Sequence, residues 1–476
     1  MSKATKRIIA TITLVIVILL AGASIWWNVH SKEIYAEFET LITKELTETL
    51  GTNVKVGSLK INSPITASLR DVVIYDNDDK VIASVEEIVV YYQPLYLLFG
   101  NEPIDIISKI NLKSPQVYLV QDIDETWNIE DIKMKESDQK TSFKINVFFE
   151  NGDFYLSMPQ GQKEIHKITG RIDFSKWPVA DAFLRFNLEP EQDTAFDWRK
   201  IFTSTKRSML KAVVNMEDYS ALGSVKLPRI YPGDWQQFLP SDFPVEFKEG
   251  LLTDTEISFS YKDKKILYKG NLKLDDLAVE IKYQEIINST QTILNDNPFI
   301  FTKTNAKVIF NNDSVHILDG ETALLDEKFS VNGQIDLKEA EPNLDIILSA
   351  KNLETNSFFA DKGLKGKINL DAYFKGRTSN LDAKAVVSWN EIFYKEQPIK
   401  LGEINLSFSN NTLFIEKGNV DFLNSKVLFL GNMNLENFRY ALDLSGADLD
   451  LSELKGMDVK GIANIDLKSE GELKKP

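Results

Sequence analysis

Catalysis and metal binding need reactive side chains held close together, and this chain offers few. Its three histidines, His30, His166 and His316, stand in unrelated contexts without the paired spacing of a metal site. Asp76-Asn77-Asp78-Asp79 could gather oxygens around calcium, but it lacks the glycine and the distal glutamate of an EF-hand loop. A solvated hairpin turn is the simpler expectation there, and His316, in Val315-His316-Ile317, reads as a strand residue. The chain has no cysteine, which removes thiolate nucleophiles, thiolate metal ligands and disulfides together. No G-x-S-x-G elbow, phosphate loop or G-x-G-x-x-G sequence is present to open a helix. Carboxylates are plentiful but fall at the polar positions of alternating segments, where solvation explains them. A catalytic pair assembled from distant parts of the chain stays open as an alternative. The expectation is no enzyme activity, with no catalytic residue, no metal site and no cofactor.

The elements that would position any site announce themselves by repetition. Phe310-Asn311-Asn312-Asp313, Asp319-Gly320 and Val331-Asn332-Gly333-Gln334-Ile335-Asp336-Leu337 occur in that order. They return 98 positions later as Phe408-Ser409-Asn410-Asn411, Lys417-Gly418 and Leu430-Gly431-Asn432-Met433-Asn434-Leu435. Leu344 to Leu348 then matches Tyr440 to Leu444 with a slip of two. A constant offset marks an array whose units bury apolar surface by stacking on their neighbours.

Inside the array a glycine precedes apolar residues at every second position. It recurs as Gly270-Asn271-Leu272-Lys273-Leu274, Gly333 to Leu337, Gly366-Lys367-Ile368-Asn369-Leu370 and Gly431 to Leu435, with a looser copy from Gly461 to Leu467. Period-two alternation places Leu272, Leu274, Ile335, Leu337, Ile368, Leu370, Met433 and Leu435 on one face of a sheet. The leading glycine suits a bulge or a crowded strand start. An ordinary β-sandwich would show the same alternation as an apolar groove, and both remain open at this point.

The first residues set an address. Ile8 to Trp27 is uncharged and about as long as a bilayer-spanning helix, with Ile8, Leu14, Leu20, Trp26 and Trp27 marking its course. Lys3, Lys6 and Arg7 precede it and the two tryptophans close it as interfacial aromatics. The expected topology keeps the N-terminus cytoplasmic and sends everything after Asn28 across the membrane. A cleaved signal peptide is the alternative; the length of the run and the bulky Ile25-Trp26-Trp27 speak against it. The formal charge of −15 argues against nucleic acid as a partner, and with 43% apolar residues the chain has enough to fold.

The chain beyond the anchor is too long for one compact core. Ile34, Phe38, Ile42, Leu46 and Leu50 recur every four residues and predict an amphipathic helix stopped by Gly51, with the end of the adjoining sheet as its partner. Strands are predicted at 54–56, 59–61, 69–75, 81–92, 104–112 and 117–120, with a compact apolar turn at Pro94 to Gly100. Thr194 to Met209 is helix-compatible, and Ile230 to Phe247 reads as an irregular loop with a short helix around Trp235 to Phe238. The expected divisions are 1–30, cytoplasmic tip and transmembrane anchor; 31–51, capping helix; 52–250, β region with helical insertions; and 251–476, the repetitive β region.

The stretch from the anchor to about Met134 resembles the opening of the AsmA-like family, the TamB type especially. The resemblance is carried by Leu69-Arg70-Asp71-Val72-Val73-Ile74-Tyr75, by Ile88 to Leu98 with its Tyr92-Gln93-Pro94-Leu95, by Ile110 to Leu119 and by Thr126-Trp127-Asn128. It implies a mainly β fold: an N-terminal transmembrane helix, then an elongated, repetitive antiparallel sheet curled into an apolar groove, with a few short helices. It further implies a single-pass protein of the inner membrane whose bulk is periplasmic. Its groove would bind phospholipid or another acyl-chain lipid and conduct it toward the outer membrane. Some members assist outer-membrane protein assembly, which makes β-augmentation of outer-membrane β-barrel proteins the alternative function. Chains of the TamB type are longer and end in a domain that contacts an outer-membrane partner. This chain, ending soon after a repeat begins, is expected to be a short member, a fragment or a truncated gene product.

Overall fold

A computed structural model describes residues 40, 42–44, 46–48, 50–63, 65–93, 107–124, 126–132, 144–188, 207–239, 245–281, 300–339, 341–359, 363–377 and 380–472. The fold is mainly β, with 23 strands and a few short helical turns among the described residues. It divides into two compact units, Met1–Gly223 and Ser224–Pro476. This division lies ahead of the expected one at residue 250. The segment just before that point is already strand and belongs to the second unit.

The first unit contains β1 (Val54–Lys55), β2 (Ser58–Ser63), β3 (Thr66–Tyr75), β4 (Val81–Tyr92), β5 (Ile107–Val120), β6 (Asn146–Met158), β7 (Gly161–Lys176), β8 (Val179–Asn187) and β9 (Ser208–Asn215). Residues 40–50 are helical where described, and the Gly51 N–H closes the helix on the Thr47 carbonyl at 2.9 Å with a φ of 66°. Leu46 and Leu50 pack on buried Val54, Val56 and Val72 at the start of the sheet, the partner the spacing predicts. The acidic turn also forms: Asp76 is buried, and its Oδ1 accepts the N–H groups of Asp78 (2.9 Å) and Lys80 (2.7 Å).

Three expectations fail in this unit. The expected strands at 104–112 and 117–120 are not separate: the described residues 107–120 form one strand, β5. Proline normally confines itself to edges because it lacks an N–H, yet Pro115 sits between β4 and β6, opposite Val85. Ser114 adopts a φ of 47° just before it, and Gly152 on β6 leaves room for the ring, since a Cβ there would meet Pro115 at 2.9 Å. The sheet is also not wholly antiparallel. β5 and β6 run parallel, Lys109 opposite Asn146 to Val120 opposite Ser157, which the long crossover of residues 121–145 permits. Finally, Ser208 and Met209 open β9 instead of ending a helix.

Strand β10 (Ser220–Ile230) carries the division between the units, and the 3-10 helix Pro232–Phe238 comes next, close to where a short helix was expected. The second unit continues with β11 (Val245–Lys262), β12 (Lys265–Ile281), β13 (Ile300–Asn311), β14 (Ser314–Leu324), β15 (Glu327–Asp336) and β16 (Asn343–Glu354). Then come β17 (Leu364–Arg377), β18 (Asn380–Tyr394), β19 (Gln397–Ser409), β20 (Thr412–Phe422), β21 (Ser425–Asn434), β22 (Arg439–Asp450) and β23 (Ile462–Glu472). From β11 onward each strand pairs antiparallel with the next.

The sequence repeat is a structural repeat. β15 and β21 share one burial pattern along their whole length. A bulge between Ile317 and Gly320 recurs between Ile415 and Gly418. The turn residues Leu325 and Asp326, both at positive φ, return as Leu423 and Asn424. Each copy builds its own small core, one on Leu324, Phe329, Ala350 and Leu353, the other on Leu423, Val427 and Leu449. A short helix flanks each core, Thr355–Phe359 in the first and Leu451–Glu453 in the second.

Candidate functional site: an apolar track across the second unit

Cross-strand pairing decides which side chains adjoin on one face. Starting at Leu272 on β12, the directly opposed partners run Val308, Ile317, Gly333, Ile346 and Phe374 to β17. They continue through Ala383, Phe408, Leu413 and Met433 to Tyr440 and Gly471 on β23. The row crosses twelve consecutive strands without one charged residue. Beside it a second row runs from Val331 through Leu348, Ala372, Ala385 and Leu406 to Ile415. Leu272, Ile346, Phe374 and Met433 are half-buried, whereas the flanking Asn271, Lys273, Asp345 and Asn432 are exposed. Inward side chains of a two-sheet sandwich would be fully covered by the facing sheet. In β12 only Leu277 reaches full burial, and the apolar face therefore keeps much of its surface accessible.

Six of the eight stripe residues read from the glycine motif lie within strands, and all eight are half-buried. Leu272 and Met433 stand on the long row. Leu274 opposes Leu252 and Ala306, and Ile335 opposes Val315 and Leu344. Ile368 and Leu370 pack against the first core cluster, so they serve the fold as much as the face. Leu337 and Leu435 fall just past the strands, where their N–H groups bond the carbonyls of Asp313 (2.7 Å) and Asn411 (2.8 Å). The motif missed Val308 and Ile317, whose strands no glycine leads in that spacing, and Phe374 and Phe408, which lie beyond the short apolar runs that follow Gly366 and Gly402; plain alternation would have found all four. The anchor residues Ile8, Leu14, Leu20, Trp26 and Trp27, like His30 and the segment Pro94 to Gly100, lie outside the described residues.

The glycines act by close approach. A Cβ on Gly270 would meet the Glu256 carbonyl at 2.5 Å and the Phe310 ring at 2.7 Å. The asparagines have a role that solvation of a polar face does not capture. Asp276, Asp319, Asn352 and Asp448 each adopt positive φ at a strand irregularity. Their N–H groups donate to Asn305, Asn332, Asn369 and Asn464 Oδ1 of a neighbouring strand, at 2.9 to 3.1 Å. Irregularities of this kind bend a strand and increase its twist, so the capped amides stabilise local curvature in the array.

Elsewhere the chemistry-bearing residues serve structure. His166 Nδ1 lies 3.2 Å from Asp153 Oδ1, and Nε2 is 3.0 Å from Glu164 Oε2 but off hydrogen-bond geometry. Its ring meets the edge of Tyr155, which stacks on Tyr118 at 4.8 Å, and burial pushes the Tyr155 hydroxyl pKa up. His316 sits on β14 with Nε2 3.3 Å from Ser314 Oγ. Among the described residues no group of three or more His, Cys, Asp or Glu could hold a metal ion, and no helix is long and apolar enough to cross a membrane. Comparison with protein-family models, with curated proteins and with solved structures returns no match.

Proposed function

We propose that the apolar track is a binding and sliding surface for the acyl chains of phospholipids. The sheet of the second unit would curl around them as a groove, in a protein anchored to the inner membrane and working in the periplasm as the AsmA-like resemblance implies. The observation that carries this reading is the uninterrupted, half-exposed apolar row from Leu272 to Gly471. Each acyl CH₂ removed from water contributes about 0.8 kcal/mol. A row that repeats the same environment at every strand spacing gives a chain many near-equivalent positions, so binding remains compatible with movement. Headgroups would remain at the polar strand ends.

The test places a photo-crosslinking amino acid at Phe374, Met433 or Asn432 of the full chain in its native membrane, with mass spectrometry of the adducts. Lipid adducts are expected at Phe374 and Met433 and not at Asn432. Absence of lipid at both apolar positions removes the reading.

One observation favours a second reading as an assembly factor. β23 is the last described strand and pairs antiparallel with β22, and a sheet edge left open in the protein would accept an added strand. Capture of polypeptide rather than lipid, at crosslinkers placed along β23, is what that function requires.

A further inference from the structure

The face opposite the track carries a feature that the repeat itself marks as dispensable for folding. On β20 to β22, Leu428 and Leu430 point away from the track and are 49% and 51% exposed, with Phe414 beside them at 36%. The corresponding residues of the first copy are Ser330, Asn332 and His316. Strands β15 and β21 nevertheless share one burial pattern, so the sheet does not need leucine there. The exchange even removes a useful group, since Asn332 holds the Asp319 amide at 2.9 Å and Leu430 can hold nothing of the kind. A depression of about 310 Å³ is lined by Leu428, Leu430 and Leu444, and a second of about 650 Å³ adjoins it, sharing Leu430 and Asp443 and reaching Phe414.

The rim is acidic. Glu416, Asp443, Asp466 and Glu470 border the two depressions against Lys417 and Lys468. The Asp443 to Lys468 pair, at 3.9 Å and largely exposed, is too solvated to neutralise Asp443 effectively. We propose that this surface docks a cationic segment of a partner polypeptide, inserting one bulky apolar side chain between Leu428 and Leu430 while flanking Lys or Arg side chains meet the carboxylates. Apolar insertion supplies affinity, and charge complementarity supplies rate and selectivity. The site lies on the opposite face from the track and does not rest on the lipid reading.

The probe is a fluorescent peptide with one tryptophan flanked by lysines, titrated against the full chain in nanodiscs of zwitterionic lipid, with empty nanodiscs subtracted. The double variant Leu428→Ser/Leu430→Asn installs the residues that the first copy already accommodates. It is expected to weaken binding about tenfold or more with unchanged thermal unfolding. Asp443→Asn/Asp466→Asn should flatten the salt dependence, and a peptide with glutamate in place of lysine should not bind. Met433→Asp, on the track, should leave the affinity as it is. Equal binding by the leucine variant or by the acidic peptide overturns the proposal, as does loss of binding in Met433→Asp.

Discussion

The indole of Trp389 occupies the space that a Cβ on Gly402 would fill. The two residues face each other across β18 and β19, and the indole Nε1 donates to the Lys400 carbonyl at 3.1 Å. Trp389 is buried, so its ring has nowhere to retreat. Gly402→Ala is expected to destabilise the second unit by about 1–3 kcal/mol through overpacking, read as a lower midpoint in chemical denaturation. Trp389→Leu introduced with it should cost less than the two changes added separately, because the colliding ring is gone. Simple additivity would mean that the contact does not limit stability.

The capped irregularities make a second prediction. Asn369→Ala leaves the Asn352 amide without its acceptor at 3.0 Å, at a cost of about 1 kcal/mol. Hydrogen exchange at Asn352 should accelerate, while amides of the first unit stay protected. Unchanged exchange there would show that solvent replaces the asparagine without loss.

Position on the apolar face should decide how a carboxylate is tolerated. Leu353 is 3% exposed within the first core cluster, and Leu353→Asp is expected to cost about 3 kcal/mol or more, because the charge has no partner. Met433 is half-buried on the track, where a carboxylate can reach water. Met433→Asp should therefore shift thermal unfolding far less while removing lipid crosslinked at Phe374. Equal destabilisation by both variants would indicate a closed core and refute an accessible track.

Acid should loosen the first unit at one identifiable site. A hydrogen bond from Lys113 at 2.6 Å, with Arg70 adding at 3.3 Å, holds the Glu87 carboxyl below the usual glutamate pKa. A depressed folded pKa contributes stability above the unfolded pKa, and that contribution disappears as pH falls through the folded value. Thermal unfolding tracked from neutral pH down through the carboxylate range should fall less steeply for Glu87→Gln than for the parent chain. Identical pH profiles would assign the acid response to other carboxylates.

The features that the sequence determined by itself are local. Period-two alternation marks the faces of strands, and the 98-residue offset marks two copies of one unit, seen again in the twin bonds of Leu337 to Asp313 and Leu435 to Asn411. Gly51 after the Leu46 and Leu50 spacing marks a helix end. The alternation and the helix end survive because they depend on backbone geometry within a few residues, and the offset because two like sequences fold alike. The parallel pairing of β5 with β6 and the passage of Pro115 through an inner strand were not legible, since both depend on what a distant segment, Gly152 included, places alongside. Nor was the asparagine caps' role, because a polar side chain on an alternating strand looks the same whether it meets water or a neighbouring amide. The apolar track belongs to the same class. A register slip of one residue would turn a whole strand's apolar set to the opposite face, so continuity from Leu272 to Gly471 requires every pairing between them to agree. That agreement is set by bulges and cross-strand hydrogen bonds between segments far apart in the chain, and only the tertiary structure decides it.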